Sequence, residues 1–133
     1  MELTVEKISE LYNTAREYQK NAYAPYSKFY VGAAILSEKG NSYQGCNVEN
    51  VSYPIGTCAE EGAIAAMICA GDNKIAEILI YADSNKLITP CGACRQRIAE
   101  FADNSTKIHL ANASGIQKSI TLNDLLPHCF KEF

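Results

Sequence analysis

Three cysteines in two separated groups constrain this chain more than any other feature. Cys58 lies in Cys58-Ala59-Glu60, and Cys91 and Cys94 lie in Pro90-Cys91-Gly92-Ala93-Cys94, about thirty residues further on. Each group reads as the start of a helix. Thr57 offers a cap with Glu60 three residues later, and Pro90 suits a first helical position. A helix N-terminus favours negative charge, and therefore the thiolate form of cysteine that binds metal. Each of these helices follows a predicted strand, so one sheet can bring both N-termini to the same edge. Three sulfur ligands leave the fourth position of a tetrahedral zinc open to water. A closed structural site needs a fourth protein ligand, and none stands at a suitable spacing.

Glu60 lies two residues after Cys58, close enough to reach a water on the metal without ligating it. A carboxylate there can take a proton from water and hand it to a substrate nitrogen. Taken singly these signals are weak. A lone Cys-x-x-Cys fits a redox pair, a structural zinc knuckle or two core cysteines, and Glu60 alone fits a capping box. Cys-Ala-Glu followed at that distance by Pro-Cys-x-x-Cys is far more specific, being the arrangement of zinc-dependent nucleobase deaminases.

The remaining pattern supplies a scaffold. Residues 4–21 read as a helix, with Ile8, Leu11, Tyr12, Ala15 and Tyr18 at three- and four-residue steps. Phe29 to Leu36 and Ser42 to Cys46 read as a hairpin across the turn Glu38-Lys39-Gly40-Asn41. A helix runs from Thr57 to about Ala70, stopped by Gly71. A buried strand spans Ala76 to Ala82, a helix runs from Thr89 to near Phe101, and strands are expected at 107–111 and 117–120. Thr121 starts a short last helix. The two strands joined by the helix over 91–101 should be parallel with a right-handed crossover, and the last pair antiparallel. The expected fold is a three-layer α/β/α sandwich around a five-stranded mixed sheet, in a single domain over residues 1–133.

Charge narrows the partners. The formal net charge is −3 across 133 residues, with no basic cluster, which disfavours nucleic acid and anionic membrane. No apolar run can span a bilayer, and the acidic start Met1-Glu2-Leu3-Thr4-Val5-Glu6 does not read as a leader. A cytoplasmic protein is expected, where six cysteines suggest metal or chemistry before disulfides.

Several stretches in order resemble the small homotetrameric zinc-dependent cytidine deaminases over nearly the whole chain. They are Pro25-Tyr26-Ser27-Lys28-Phe29, Val31-Gly32-Ala33-Ala34, Gly45-Cys46-Asn47-Val48-Glu49-Asn50, Cys58-Ala59-Glu60, and Pro90-Cys91-Gly92-Ala93-Cys94-Arg95-Gln96; Leu125-Leu126-Pro127 and Phe130 fit as well. The resemblance implies one Zn²⁺ per chain on Cys58, Cys91 and Cys94, with Glu60 shuttling protons. It implies that Asn47 and Glu49 hydrogen-bond the ribose 3′-hydroxyl, that Phe29 packs on the pyrimidine, and that the Ala59 backbone bonds the base edge. Phe130 resembles a C-terminal aromatic reaching a neighbouring subunit's site, and Tyr53 an aromatic at the subunit interface. Each of these has a plainer reading: turn residues for Asn47 and Glu49, core for Phe29, a frayed end for Phe130.

Cys46, Cys69 and Cys129 match no ligand position and read as small hydrophobes or bystanders. His109 and His128 lack partners at metal-site spacing, which favours structural roles. One departure matters. Many relatives carry arginine directly after Cys-Ala-Glu, hydrogen-bonded to the zinc thiolates, where this chain has Glu61. The expected compensation here is Arg95, the two helix N-termini and backbone N–H groups, with Glu61 turned away or paired with a cation. The implied reaction is hydrolytic deamination of cytidine or deoxycytidine, in pyrimidine salvage. A free base, a modified nucleoside or a base in RNA are alternative substrates, and a non-catalytic zinc module is the alternative from another class.

Overall fold

The computed structural model describes residues 4–133; the acidic start at Met1–Leu3 lies outside them. In chain order the elements are α1 (Val5–Gln19), β1 (Val31–Ser37), β2 (Ser42–Cys46), a 3₁₀ turn (Tyr53–Ile55), α2 (Ala59–Cys69), β3 (Ile75–Ala82), α3 (Gly92–Phe101), β4 (Lys107–Asn112), β5 (Gly115–Thr121) and α4 (Leu122–Leu125). The strands form one sheet in the order β2-β1-β3-β4-β5. Only β3 and β4 run parallel, as expected of strands joined by a helical crossover; the other neighbours are antiparallel.

Strand alternation divides the core into two layers. Ala34 and Leu36 of β1, with Leu79 and Tyr81 of β3, face Leu11 and Ala15 of α1. Ala33, Ile35, Ile78, Ile80, Ile108 and Leu110 point the other way, onto Ala63 and Met67 of α2 and Ile98 of α3. The sheet is thus covered on both faces, and all seven residues of β1 are buried. Two glycines permit this close stacking. A Cβ at Gly32 would lie 2.0 Å from the Ala15 carbonyl oxygen, and one at Gly45 would lie 2.5 Å from both the Ala59 oxygen and the Ala63 nitrogen. Gly45 therefore sets how near the first turn of α2 lies to the sheet. Among the described residues, no helix is long and apolar enough to cross a membrane.

The structure corrects three boundaries. The cap of α2 is Cys58 rather than Thr57, so the reciprocal capping residue is Glu61 and not Glu60. The cap of α3 is Cys91, which places Pro90 ahead of the helix instead of at its first position. The first strand begins at Val31, not Phe29. The Asn47 side chain takes the hydrogen bonds of the intervening backbone, accepting from Val31 N at 2.8 Å and donating to Phe29 O at 2.8 Å.

Candidate active site

The two shifted caps place two cysteines at equivalent positions. Cys58 and Cys91 each occupy the residue just before a helix, with extended backbone, and Cys94 sits one turn into α3. The three sulfurs lie within 4.8 Å of one another. Sulfurs around a tetrahedral zinc at Zn–S of about 2.3 Å stand roughly 3.8 Å apart, so this arrangement and this all-thiol donor set fit zinc. Among the described residues it is the only group of three or more His, Cys, Asp or Glu side chains drawn together in this way. Backbone donors reinforce it: the Cys94 N–H points at the Cys91 sulfur at 3.5 Å, and the Glu61 N–H faces the Cys58 side chain in the capping box. A hydrogen bond from the Cys94 thiol holds Cys58 down at about 7, against the opposing effect of burial. Cys94 is pushed up in turn, by donating that bond and by burial.

Glu60 is 5% exposed, in the first turn of α2. Burial pushes its carboxyl above the ordinary carboxylate range. That direction suits a group that must hold a proton during part of a cycle. Glu60, Cys58 and Cys91 line one cavity of about 310 Å³, together with Phe29, Asn47, Glu49 and Ala59. This volume is near the lower end for small-molecule sites. A wider cleft of about 650 Å³ on the α1 side contains Glu77 and His109, but their polar atoms serve each other. His109 meets Glu77 Oε1 through Nε2 and Ser119 Oγ through Nδ1, both at 2.6 Å, a structural role in keeping with the sequence reading.

The rim of the cavity is built by residues 47–49, stitched between two other segments. Tyr23 N bonds Asn47 O at 3.0 Å and Glu49 N bonds Tyr23 O at 2.8 Å, while Val48 and Thr57 exchange both backbone bonds. Asn47 and Glu49 then fix the loop opposite. Asn47 bridges Phe29 and Val31 as described, and Glu49 accepts from the Tyr26 and Ser27 N–H groups at 3.1 Å each and from the Ser27 hydroxyl. The Ser27 hydroxyl, followed by the Ser27 and Tyr26 N–H groups, holds the Glu49 carboxyl below its ordinary value despite some desolvation. Lys28, at φ 58°, is the single non-glycine residue with positive φ among those described, and it turns the chain into Phe29 at the cavity wall. No local sequence signal marks Asn47 and Glu49 as partners of this loop.

One expected role is not met. Arg95 reaches no sulfur: its guanidinium donates to Pro90 O at 2.9 Å, Thr89 Oγ1 at 3.1 Å and Leu125 O at 3.1 Å. Arg97 makes the sulfur contact instead, with Nη1 3.6 Å from Cys94 Sγ. Its Nη2 lies 3.6 Å from Glu61 Oε1, so Glu61 is indeed paired with a cation. Phe130 lies outside the cavity with its ring exposed; Gln96 grips its backbone, accepting from N at 3.1 Å and donating to O at 2.6 Å. Tyr53 is also exposed and leans on Tyr26, ring centres 5.7 Å apart. Cys46 and Cys129 are half-buried, Cys69 and His128 exposed, and none joins the sulfur cluster.

Comparison with known proteins locates this site within a wider group. The family model described as the cytidine and deoxycytidylate deaminase zinc-binding region matches residues 5–110. A cytidine deaminase of Sporosarcina psychrophila is 42% identical over 125 residues, covering 94% of this chain and 92% of the relative. One from Halalkalibacterium halodurans is 40% identical over 120 residues, covering 90% and 91%. The crystal structure of cytidine deaminase from Burkholderia pseudomallei matches with a TM-score of 0.87 at 37% identity, over 96% of this chain and 100% of that one.

Proposed function

The chain belongs to the cytidine and deoxycytidylate deaminase family, and from that premise we propose that it hydrolyses the 4-amino group of cytidine and 2′-deoxycytidine. The products are the uracil nucleoside and ammonia. The observation that carries this reading is the convergence of three sulfurs within 4.8 Å beside the buried Glu60 carboxylate, with Cys58, Cys91 and Glu60 lining one cavity. Zinc held by Cys58, Cys91 and Cys94 supplies Lewis acidity that acidifies the attacking water.

Glu60 accepts the proton released as water oxygen adds to C4 and passes it to N3. It then takes the remaining proton from the new C4 hydroxyl and gives it to the amino nitrogen, so that the C4 carbonyl forms as the C–N bond breaks and ammonia leaves. Burial supports the proton-accepting half of this cycle, since a carboxyl that binds its proton more tightly is the better base toward water. Phe29 forms a wall for the pyrimidine, and the Ala59 N–H, in the unpaired first turn of α2, bonds the base edge. Asn47 and Glu49 take the 3′-hydroxyl with the lone pairs and the amide hydrogen that the loop leaves free.

The assembly is read as a homotetramer with sites near the subunit interfaces. The exposed rings of Phe130 and Tyr53 support this, as apolar surface that a monomer leaves wet. Native mass measurement tests it. The net charge of −3 supports a small nucleoside substrate over nucleic acid or membrane; a cytoplasmic place in pyrimidine salvage belongs to the same proposal through the family's reaction. A turnover panel of cytosine, cytidine, deoxycytidine and blasticidin S tests the substrate assignment. Turnover of both nucleosides, with little on cytosine or blasticidin S, is expected; turnover confined to cytosine or blasticidin S overturns it.

A further inference from the structure

Arg97 and Glu61 join the two helices that carry the sulfurs, and each end of the pair lands on a cysteine. Glu61 Oε1 accepts the Cys58 backbone N–H at 3.3 Å and lies 3.6 Å from Arg97 Nη2. Arg97 Nη1 reaches Cys94 Sγ at 3.6 Å. The path therefore runs from Cys58 on α2 through Glu61 and Arg97 to Cys94 on α3. An ordinary ion pair of this exposure, with side chains 39% and 33% accessible, contributes little to stability and needs no fixed geometry. This one is oriented at both ends by groups that belong to the sulfur cluster.

We infer that Arg97 is the positioning residue that offsets the negative charge of the three thiolates, and that Glu61 acts through it by aiming the guanidinium at Cys94. Zinc with three thiolates carries a formal charge of −1, which weakens its pull on a bound water. A hydrogen bond from a cation to one thiolate draws electron density back from the metal, and such partners outside the ligand set tune both affinity and Lewis acidity. A guanidinium offers several N–H groups in a fixed fork, so one arm can meet the sulfur while another meets the carboxylate. The inference rests on the reading of Cys58, Cys91 and Cys94 as a metal site.

The test uses full-length protein loaded with cobalt(II), whose sulfur-to-metal charge-transfer band reports thiolate electron density directly. Arg97→Gln shortens the side chain, keeps a polar end and loses the charge. The band is expected to move to longer wavelength, because a thiolate without its donor gives up charge more readily. Release of zinc to a chelator at fixed pH is expected to quicken roughly 10–100-fold, and kcat to fall within the same range with KM little changed. Arg97→Lys is expected to recover part of the band position. Glu61→Gln still accepts the Cys58 N–H, so its smaller shift in the same direction isolates the aiming role. The double variant is expected to match Arg97→Gln alone, because one residue works through the other.

An unmoved cobalt band in Arg97→Gln, whatever happens to turnover, overturns the inference. A Glu61→Gln effect that adds in full to that of Arg97→Gln overturns the coupling. Wild-type protein that gives no sulfur-to-cobalt band overturns the metal-site reading itself, and this inference falls with it.

Discussion

A single methyl group at Gly45 probes whether the sheet sets the position of α2, which Cys58 caps and whose first turn holds Glu60. The Cβ of Gly45→Ala would stand 2.5 Å from the Ala59 oxygen and the Ala63 nitrogen, both backbone atoms, where ordinary contact begins at 3.4 Å. Neither can rotate away, so α2 must retreat from β2 by about 1 Å. Overpacking of this kind costs about 1–3 kcal/mol, which for a domain of this size lowers Tm by roughly 3–15 °C. A displacement of that order at a catalytic group costs up to ~10²-fold in turnover, and α2 carries both Cys58 and Glu60. Gly62 makes the control at the same junction. Its added Cβ would meet Gly45 Cα at 3.6 Å, ordinary contact, and alanine in a helix interior gains about 0.5–1 kcal/mol over glycine. Thermal unfolding and cytidine turnover of the two variants, measured side by side, should therefore diverge in sign of stability and in activity. Gly45→Ala with wild-type Tm and wild-type kcat would refute the argument that this close approach positions the site.

Further outcomes follow from the same geometry. Glu60→Gln should lose at least ~10²–10⁴-fold in kcat while metal analysis shows zinc retained, since the amide keeps the shape and loses the proton transfer. Cys91→Ala should lose the metal and part of the fold stability, checked by metal content and thermal unfolding. Asp72 accepts from Asn41 Nδ2 at 3.3 Å and the Tyr43 hydroxyl at 3.2 Å, and hydrogen bonding, first from Ser37, holds its carboxyl below the ordinary value. Its stabilising contribution is complete above the unfolded value of about 3.9 and disappears as pH falls through the lower folded value. Asp72→Asn should accordingly be less stable near neutrality and show a shallower loss of stability below about pH 4, followed by acid unfolding.

Element order, three of the four strand pairings and the sulfur cluster were legible because each rests on a local rule that the fold obeys; the antiparallel pairing of β1 with β3, between strands distant in sequence, was not. The helix that links β3 to β4 forces their parallel pairing, and caps at two strand-to-helix junctions bring the cysteines together. The slips of one residue at α2 and two at α3 arose where cysteine itself caps the helix. A thiol is an unusual cap, so Thr57 and Pro90 drew the boundary toward themselves. The expectation placed on Arg95 had a remedy in the sequence. On a helix, residues three apart share a face, so Arg97 stands beside Cys94 and Arg95 points about 100° away. The loop contacts of Asn47 and Glu49 were not legible. They depend on three segments distant in sequence meeting at Tyr23, Val48 and Thr57.

Zinc content and cytidine deamination, measured on one sample as metal is stripped with a chelator and restored, test the account most directly. The account predicts one zinc per chain at full loading and turnover proportional to occupancy, both abolished together in the Cys94→Ala variant. Full turnover by metal-free protein, or stoichiometric zinc with no turnover of either nucleoside, would contradict it.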